Sequence, residues 1–250
     1  MKLVQAPRTS AARSRRRVSR PTAAEWLDDL TLEGPRLHRA LEELVWVNRF
    51  LGGHAALWRC IEPLIRRQGS LSILDVGSGL GDGACHLVSR AARRGKRVYV
   101  TAVDGNPAVS EAARRWIDTH LPDSLRDNVR VLTQNVWDLT DVERYDVVTA
   151  SLFLHHFRAE EAVRLLAKLE KMGRLGLVVS DLHCHPLAYY GIRILSWALR
   201  ASPYFRHDAA LSVRRGYRRA ELLEMARIAG LHPVTVQWHW AFRWTLSTIS

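Results

Sequence analysis

The sequence predicts an α/β fold, a doubly wound sheet flanked by helices, and three observations carry that prediction. Five short apolar runs of strand length recur between residues 71 and 181: "LSILDV", "RVYVTAV", "VRVLTQ", "YDVVTAS" and "LGLVVSD". Segments of helical pattern follow Gly81, Pro107 and Arg158, between successive strands, which implies parallel pairing through right-handed crossovers. The third observation is "ILDVGSGLGDG" at residues 73 to 83, with glycines at alternate positions where the first strand runs out. Sheets of this kind bind ligands at that point.

Ahead of the strands, residues 25–69 read as a helical cap. Ala40, Leu44, Val47 and Leu51 recur at three- and four-residue steps, and Pro35 sits where a first helical turn tolerates it. Gly52 and Gly53 end that helix, and a second runs from His54 to about Arg67. The link "NVWDLTDVER" after the third strand has room for a single turn. Beyond the fifth strand, "PLAYYGIRILSWALRASPYF" is amphipathic and rich in aromatics, and residues 183–212 are expected to cover a substrate pocket. The competing reading is a helix packed into the core. A basic helix is expected around "SVRRGYRRAELLEMARIAG". Near the end, Trp238, Trp240, Phe242 and Trp244 alternate as in a strand, with no Gly or Pro to mark a turn.

At 250 residues, one domain with additions is expected. The chain lacks an apolar run of about 18 residues, so a spanning helix is not expected. Three scattered cysteines, Cys60, Cys85 and Cys184, fit a reducing, cytoplasmic compartment. The formal charge of +12 would ordinarily point to nucleic acid or an anionic membrane. Seven of those charges lie before Glu25, the first acid, so the charge belongs mainly to residues 1–24. That Arg- and Ser-rich tail is expected to be disordered, with a transit peptide or a nucleic-acid or lipid arm as alternatives.

Glycine is needed where a ligand approaches the main chain too closely for a Cβ. Gly77, Gly79 and Gly81 follow Asp75 as D-x-G-x-G-x-G, and the final glycine of a dinucleotide fingerprint is replaced by Asp82. A carboxylate there would repel a pyrophosphate. Gly79-x-Gly81-x-x-Ala84 still satisfies the looser dinucleotide pattern. Asp104 ends the second strand, where a carboxylate can accept hydrogen bonds from both ribose hydroxyls. Asn135 ends the third, as an adenine contact or simply a turn residue.

With these residues in place the chain resembles class I S-adenosylmethionine (SAM)-dependent methyltransferases. "LDVGSGLG" looks like their first motif, "VDGNP" like their acidic loop and "YDVVTASLFLHHF" like their fourth-strand motif. The resemblance covers roughly residues 70 to 250 and implies a Rossmann-like, seven-stranded sheet with an N-terminal helical extension and a helical lid after the fifth strand. It implies SAM as cofactor, with methionine and ribose contacts from Gly77, Ser78 and Gly79. Ribose contacts are implied from Asp104 and adenine contacts from Asn135 and Val136. Asp75, Gly105, Asn106 and Ser151 complete the expected cofactor set. The family usually has aspartate where this chain has Asn135. More loosely, "WVNRFLGGHAALWR", "SLFLHHF" and "SDLHCHPLAYYG" look like bacterial methyltransferases associated with type III polyketide synthases and quinone biosynthesis. That likeness suggests O-methylation of a phenolic, quinol or phenolic-lipid acceptor.

Ionising a phenol of pKa about 10 at neutral pH costs roughly 4 kcal/mol, which a general base offsets in part. Histidine is the side chain best poised for it. His156 is the first candidate and His185 the second, with His155 and His183 beside them; Asp181 would orient one of the four. His183 and His185 flank Cys184 and could share a metal ion, but no further ligand stands at recognisable spacing, so no metal is expected. Ribose O-methylation of RNA, a dinucleotide-dependent oxidoreductase and an inactive partner subunit are the rival functions. An apolar lid with Arg193 and Arg200 would also suit peripheral membrane contact.

Overall fold

The computed structural model describes residues 25–140 and 145–249 together with Pro21 and Ala23, so the tail expected over residues 1–24 lies almost wholly outside the described residues. A 3-10 turn at Trp26–Asp28 precedes α1 (Pro35–Phe50) and α2 (Gly53–Gln68). The chain then forms β1 (Ser70–Val76), α3 (Asp82–Ala92), β2 (Arg97–Asp104), α4 (Pro107–His120), α5 (Asp123–Arg126) and β3 (Val129–Thr133). β4 (Tyr145–Ser151), α6 (Ala159–Met172) and β5 (Gly173–Leu182) follow. The last part contains α7 (Pro186–Ala198), α8 (Pro203–Arg215), α9 (Arg219–Ile228), β6 (Thr235–His239) and β7 (Arg243–Ser247).

The seven strands make one sheet in the order β3-β2-β1-β4-β5-β7-β6. The first five are parallel, and β7 runs antiparallel between β5 and β6. Strand order reverses between β1 and β4, which opens a crevice beyond their carboxyl ends. Strand alternation sends Leu71 and Ile73 to one face, against Leu57, Ile61 and Ile65 of α2 and Leu87 of α3. Leu74 and Val76 face the other side, with Leu165, Leu166 and Leu169 of α6 and Met225 of α9. Each such side chain contributes about 1.5–3 kcal/mol of burial, so the strand ends that carry the site are firmly held.

One expectation needs correcting, and one turn left unplaced by the sequence is now located. The basic stretch around Arg214 to Arg219 is not one helix: α8 stops at Arg215 and α9 begins at Arg219. A Cβ on Gly216 would lie 2.7 Å from the Leu182 carbonyl oxygen, and Tyr217 is fully buried, its hydroxyl donating to the Leu154 carbonyl at 2.8 Å. The close approach to β5 breaks the helix. The aromatic C-terminus is a hairpin whose turn uses Ala241 and Phe242 at φ 62° and 57°. Glycine or asparagine normally supplies that left-handed conformation, so nothing in the residue types announced it. Among the described residues, no helix is long and apolar enough to cross a membrane.

Candidate active site

Gly77, Gly79 and Gly81 all have positive φ, at 67°, 54° and 70°. Only Gly79 is bare on the ligand's account. A Cβ on Gly77 would fall 2.3 Å from the Phe153 ring, so that position is dictated by a side chain arriving from beyond β4. A Cβ on Gly79 would meet nothing within 4 Å, and the residue lines two adjoining cavities. Between them, the Ser78 hydroxyl is buried with no partner among the described residues. An open backbone beside an orphaned hydroxyl is a cradle awaiting a polar ligand.

Asp104 closes one side of that cradle. Its carboxylate accepts from the Gly79 backbone N–H at 3.2 Å and from the Asn106 N–H at 3.0 Å. Burial raises its pKa above the ordinary carboxylate value, although backbone donors and His156 act against the rise. Asn106 is a cap: its side-chain oxygen accepts from Ala108 and Val109 at the start of α4, and its amide donates to the Leu32 carbonyl. Asn135 likewise accepts from the Trp137 N–H at 2.9 Å, the turn-residue reading left open above, while still lining the larger cavity with Gly105, Asn106 and Val136.

The smaller cavity, about 90 Å³, is lined by Asp75, Ser78, Asp82, His54 and Ser151. Asp75 is buried and accepts from the Thr149 hydroxyl at 2.7 Å. Desolvation pushes its pKa to about 7, helped by the nearby Asp82. Asp82 is paired at 2.6 Å with His54 of α2, so an acid does stand at the start of α3 where a pyrophosphate would lie. Leu152, at φ 52°, stands with Gly77 and Gly79 where the two cavities meet. A non-glycine residue in that region is strained by roughly 1–3 kcal/mol.

The larger cavity, about 1230 Å³, is apolar over most of its wall: Leu37, Leu41 and Val47 of α1, Ile192 and Leu195 of α7, and Phe205 of α8. One wall is ionic. His155 Nδ1 lies 2.7 Å from Asp181, which also accepts from the His155 backbone N–H at 3.0 Å. Burial opposes the charge of Asp181, yet His155 and His156 outweigh it and hold the carboxyl below its usual range. His156 hydrogen-bonds Asp28 through Nδ1. Burial disfavours its charge, but Asp28, Glu25 and Asp181 prevail and raise its pKa above 6.5. Arg215 bridges Glu25 and Asp28 at 3.2 and 3.1 Å.

His183 and His185 do not line the cavity. His185 Nδ1 accepts from the Leu187 N–H at the start of α7, and its ring stacks on Phe242. The cluster with metal-ligand chemistry among the described residues is instead Glu25, His155 and His156, and Arg215 already supplies positive charge there. Glu25, Asp28 and Arg215 were not foreseen. "EWLDD" is the first acidic stretch of the chain, but nothing in it names histidines 130 residues away as partners.

Residues 73–176, which hold the glycine loop, Asp104 and both central histidines, match the family described as a methyltransferase domain. Over that stretch the chain is similar to methyltransferase domains. A protein of Nostoc punctiforme PCC 73102 described as an O-methyltransferase has a TM-score of 0.55 at 18% identity, covering 76% of this chain and 54% of its own. Magnesium protoporphyrin IX methyltransferase of Synechocystis PCC 6803, with bound SAM, gives 0.55 at 14% identity, covering 89% and 88%. An O-methyltransferase family 2 protein of Planctomyces limnophilus DSM 3776, in complex with apigenin, gives 0.52 at 16% identity, covering 72% and 51%. The chain thus spans about half the length of the two O-methyltransferases. At these identities the likeness is one of fold. No curated protein matches the sequence.

Proposed function

We propose that this methyltransferase domain moves a methyl group from SAM to an oxygen of a large, mainly apolar acceptor, phenolic or lipidic, with His156 as general base. The observation that carries this reading is the meeting of two unlike cavities at Gly77, Gly79 and Leu152. The polar cradle fits the cofactor: Asp104 for the ribose, Asn135 and Val136 for adenine, and the small cavity of Ser78, Asp75 and Ser151 for the methionine arm. When bound, SAM would supply an electrophilic methyl on a sulfonium, with the thioether as leaving group.

The chain's own residues then position the acceptor and take its proton. Asp28 occupies Nδ1 of His156, which leaves Nε2 as the ring nitrogen available to a hydroxyl in the cavity. As the oxygen–methyl bond forms, the hydroxyl proton passes to Nε2 and from there to solvent. The apolar wall excludes water, so the oxygen reaches the methyl poorly solvated and reactive. His155, held twice by Asp181, fixes the loop that carries His156.

The outer face of α7 supports a lipid source for the acceptor. Leu187, Tyr190, Ile194 and Trp197 share one helical face and are 64%, 61%, 68% and 74% exposed, and Leu187 and Ile194 also line the cavity. No acid occurs from residue 183 to 207, where Arg193, Arg200 and Arg206 carry the charge. An apolar helix face with basic neighbours suits an anionic bilayer surface. The decisive experiment incubates purified protein and labelled SAM with a solvent extract of phenols, quinols and phenolic lipids, and separately with total RNA. Label in the extract, lost in Asp104→Ala, supports the proposal. Label only in the RNA sinks it.

A further inference from the structure

Arg243 opens β7 and is one of the most deeply buried side chains, 1% exposed. Its Nη2 donates to Asn48 Oδ1 at a long 3.4 Å. Its Nε and Nη1 are buried with no partner among the described residues. Leaving two guanidinium donors dry is costly, because their hydration is lost and one long bond to Asn48 does not replace it. Desolvation outweighs the attraction of Asp181 and Asp82 and lowers its pKa to about 10, so it remains a cation at neutral pH. Close packing holds it in place: a Cβ on Gly53 would lie 3.2 Å from its Cζ.

Arg243 lines the large cavity beside Trp240, Phe242, Leu51 and Val47. It does not itself line the small cavity beside Ser78 and Asp75, where the methionine arm of the cofactor is assigned, although Asn48 and Gly53, which it touches, do. A fixed cation on an apolar stretch of the cavity wall selects a ligand with a negative group at one end and a greasy body. We infer that Arg243 is an anion subsite of the acceptor cavity and that the acceptor carries a carboxylate-class acidic group besides the oxygen that is methylated. This rests on the acceptor reading above, and a planar guanidinium suits the recognition of such a group in one orientation.

The test is binding of cis-parinaric acid, an eighteen-carbon fluorescent carboxylate, against its neutral methyl ester. Titration calorimetry of SAM is run on the same preparations. The wild type is expected to bind the acid at least tenfold more tightly than the ester. Arg243→Met should abolish that preference while leaving SAM affinity unchanged, and Arg243→Lys should keep part of it. Both variants are checked for folding by thermal melting; if the methionine variant does not fold, the lysine variant and the wild-type preference decide the matter. Equal binding of acid and ester by the wild type, or binding of neither, overturns the subsite. So does a tenfold loss of SAM affinity in Arg243→Met with the preference intact, which would assign Arg243 to the cofactor's carboxylate. SAM binding by the wild type is read separately, so failure of the subsite is distinct from failure of the methyltransferase reading.

Discussion

Asp28 accepts a hydrogen bond from Nδ1 of His156, a residue 128 positions further along the chain. The contact joins the segment ahead of α1 to the loop after β4, and it holds the pKa of His156 above 6.5. A base works only when neutral, so turnover should rise with pH through an inflection above 6.5. In Asp28→Asn that inflection should move to lower pH and kcat should fall, because the imidazole is a weaker base. His156→Gln should lose about 10²–10⁴-fold in kcat with SAM affinity unchanged. A pH–rate profile of the three proteins checks this; an unmoved inflection in Asp28→Asn removes Asp28 from the role.

The same pair ties stability to pH. The folded pKa of His156 lies above its unfolded value, so its contribution is complete below about 6.5 and is lost as pH rises through the folded pKa. Asp28 is shifted the other way: burial opposes its charge, but His156, the Glu25 backbone N–H and Arg215 hold it well below 3.8. Its contribution is present above that value and lost as pH falls through the depressed pKa. Protection of residues 25–32 against hydrogen exchange should therefore be greatest at mildly acidic pH and decline above neutrality. Protection that increased from pH 6 to pH 9 would contradict it.

Gly77 and Gly79 look alike in the sequence and should fail differently. Gly77→Ala drives a Cβ into the Phe153 ring and should lower the melting temperature sharply. Gly79→Ala meets open space, so its folding cost is the backbone strain of about 1–2 kcal/mol. Its methyl stands in the cradle, however, and SAM binding should be lost. Melting curves and calorimetry on both variants separate the two effects.

In the proposed site, Asp104 has most to contribute to cofactor affinity. Ribose hydroxyls donating to a carboxylate are worth about 1.5–3 kcal/mol each, so Asp104→Ala should weaken SAM at least tenfold. Its raised pKa adds a signature. SAM affinity should begin to fall, on acidification, at a pH above the ordinary carboxylate range, and Asp104→Asn should flatten that dependence.

The exposed face of α7 makes a prediction about surfaces. The protein should float with vesicles containing anionic lipid, and much less with phosphatidylcholine alone. Ile194→Glu with Trp197→Glu should reduce flotation at least tenfold without changing SAM affinity, since both side chains are exposed. Loss of a dimer in that variant, with no vesicle binding by the wild type, would instead assign the face to a second copy of the chain.

Residues in consecutive stretches were legible without coordinates. The alternation of Leu71 to Val76 between two buried faces, the glycines after it and Asp104 at the next strand end are local patterns, set by pleat, turn and strand length. They announced the doubly wound sheet and the edge where ligand binds. What the glycines answer to was not legible, because Phe153 reaches Gly77 only once β4 lies beside β1. Nor could the histidines be ranked. His156 acquires its carboxylate from Asp28, and His155 from Asp181, through contacts across the sheet's carboxyl edge. Arg243, charged and ordinary in an aromatic run, becomes a buried cation with two unpartnered donors only when the hairpin seats against α2. Periodicity and turn chemistry are properties of neighbours in the chain, so the sequence by itself determined the fold. Electrostatics and burial depend on which distant residues come within a few ångströms, and only the tertiary structure decided those.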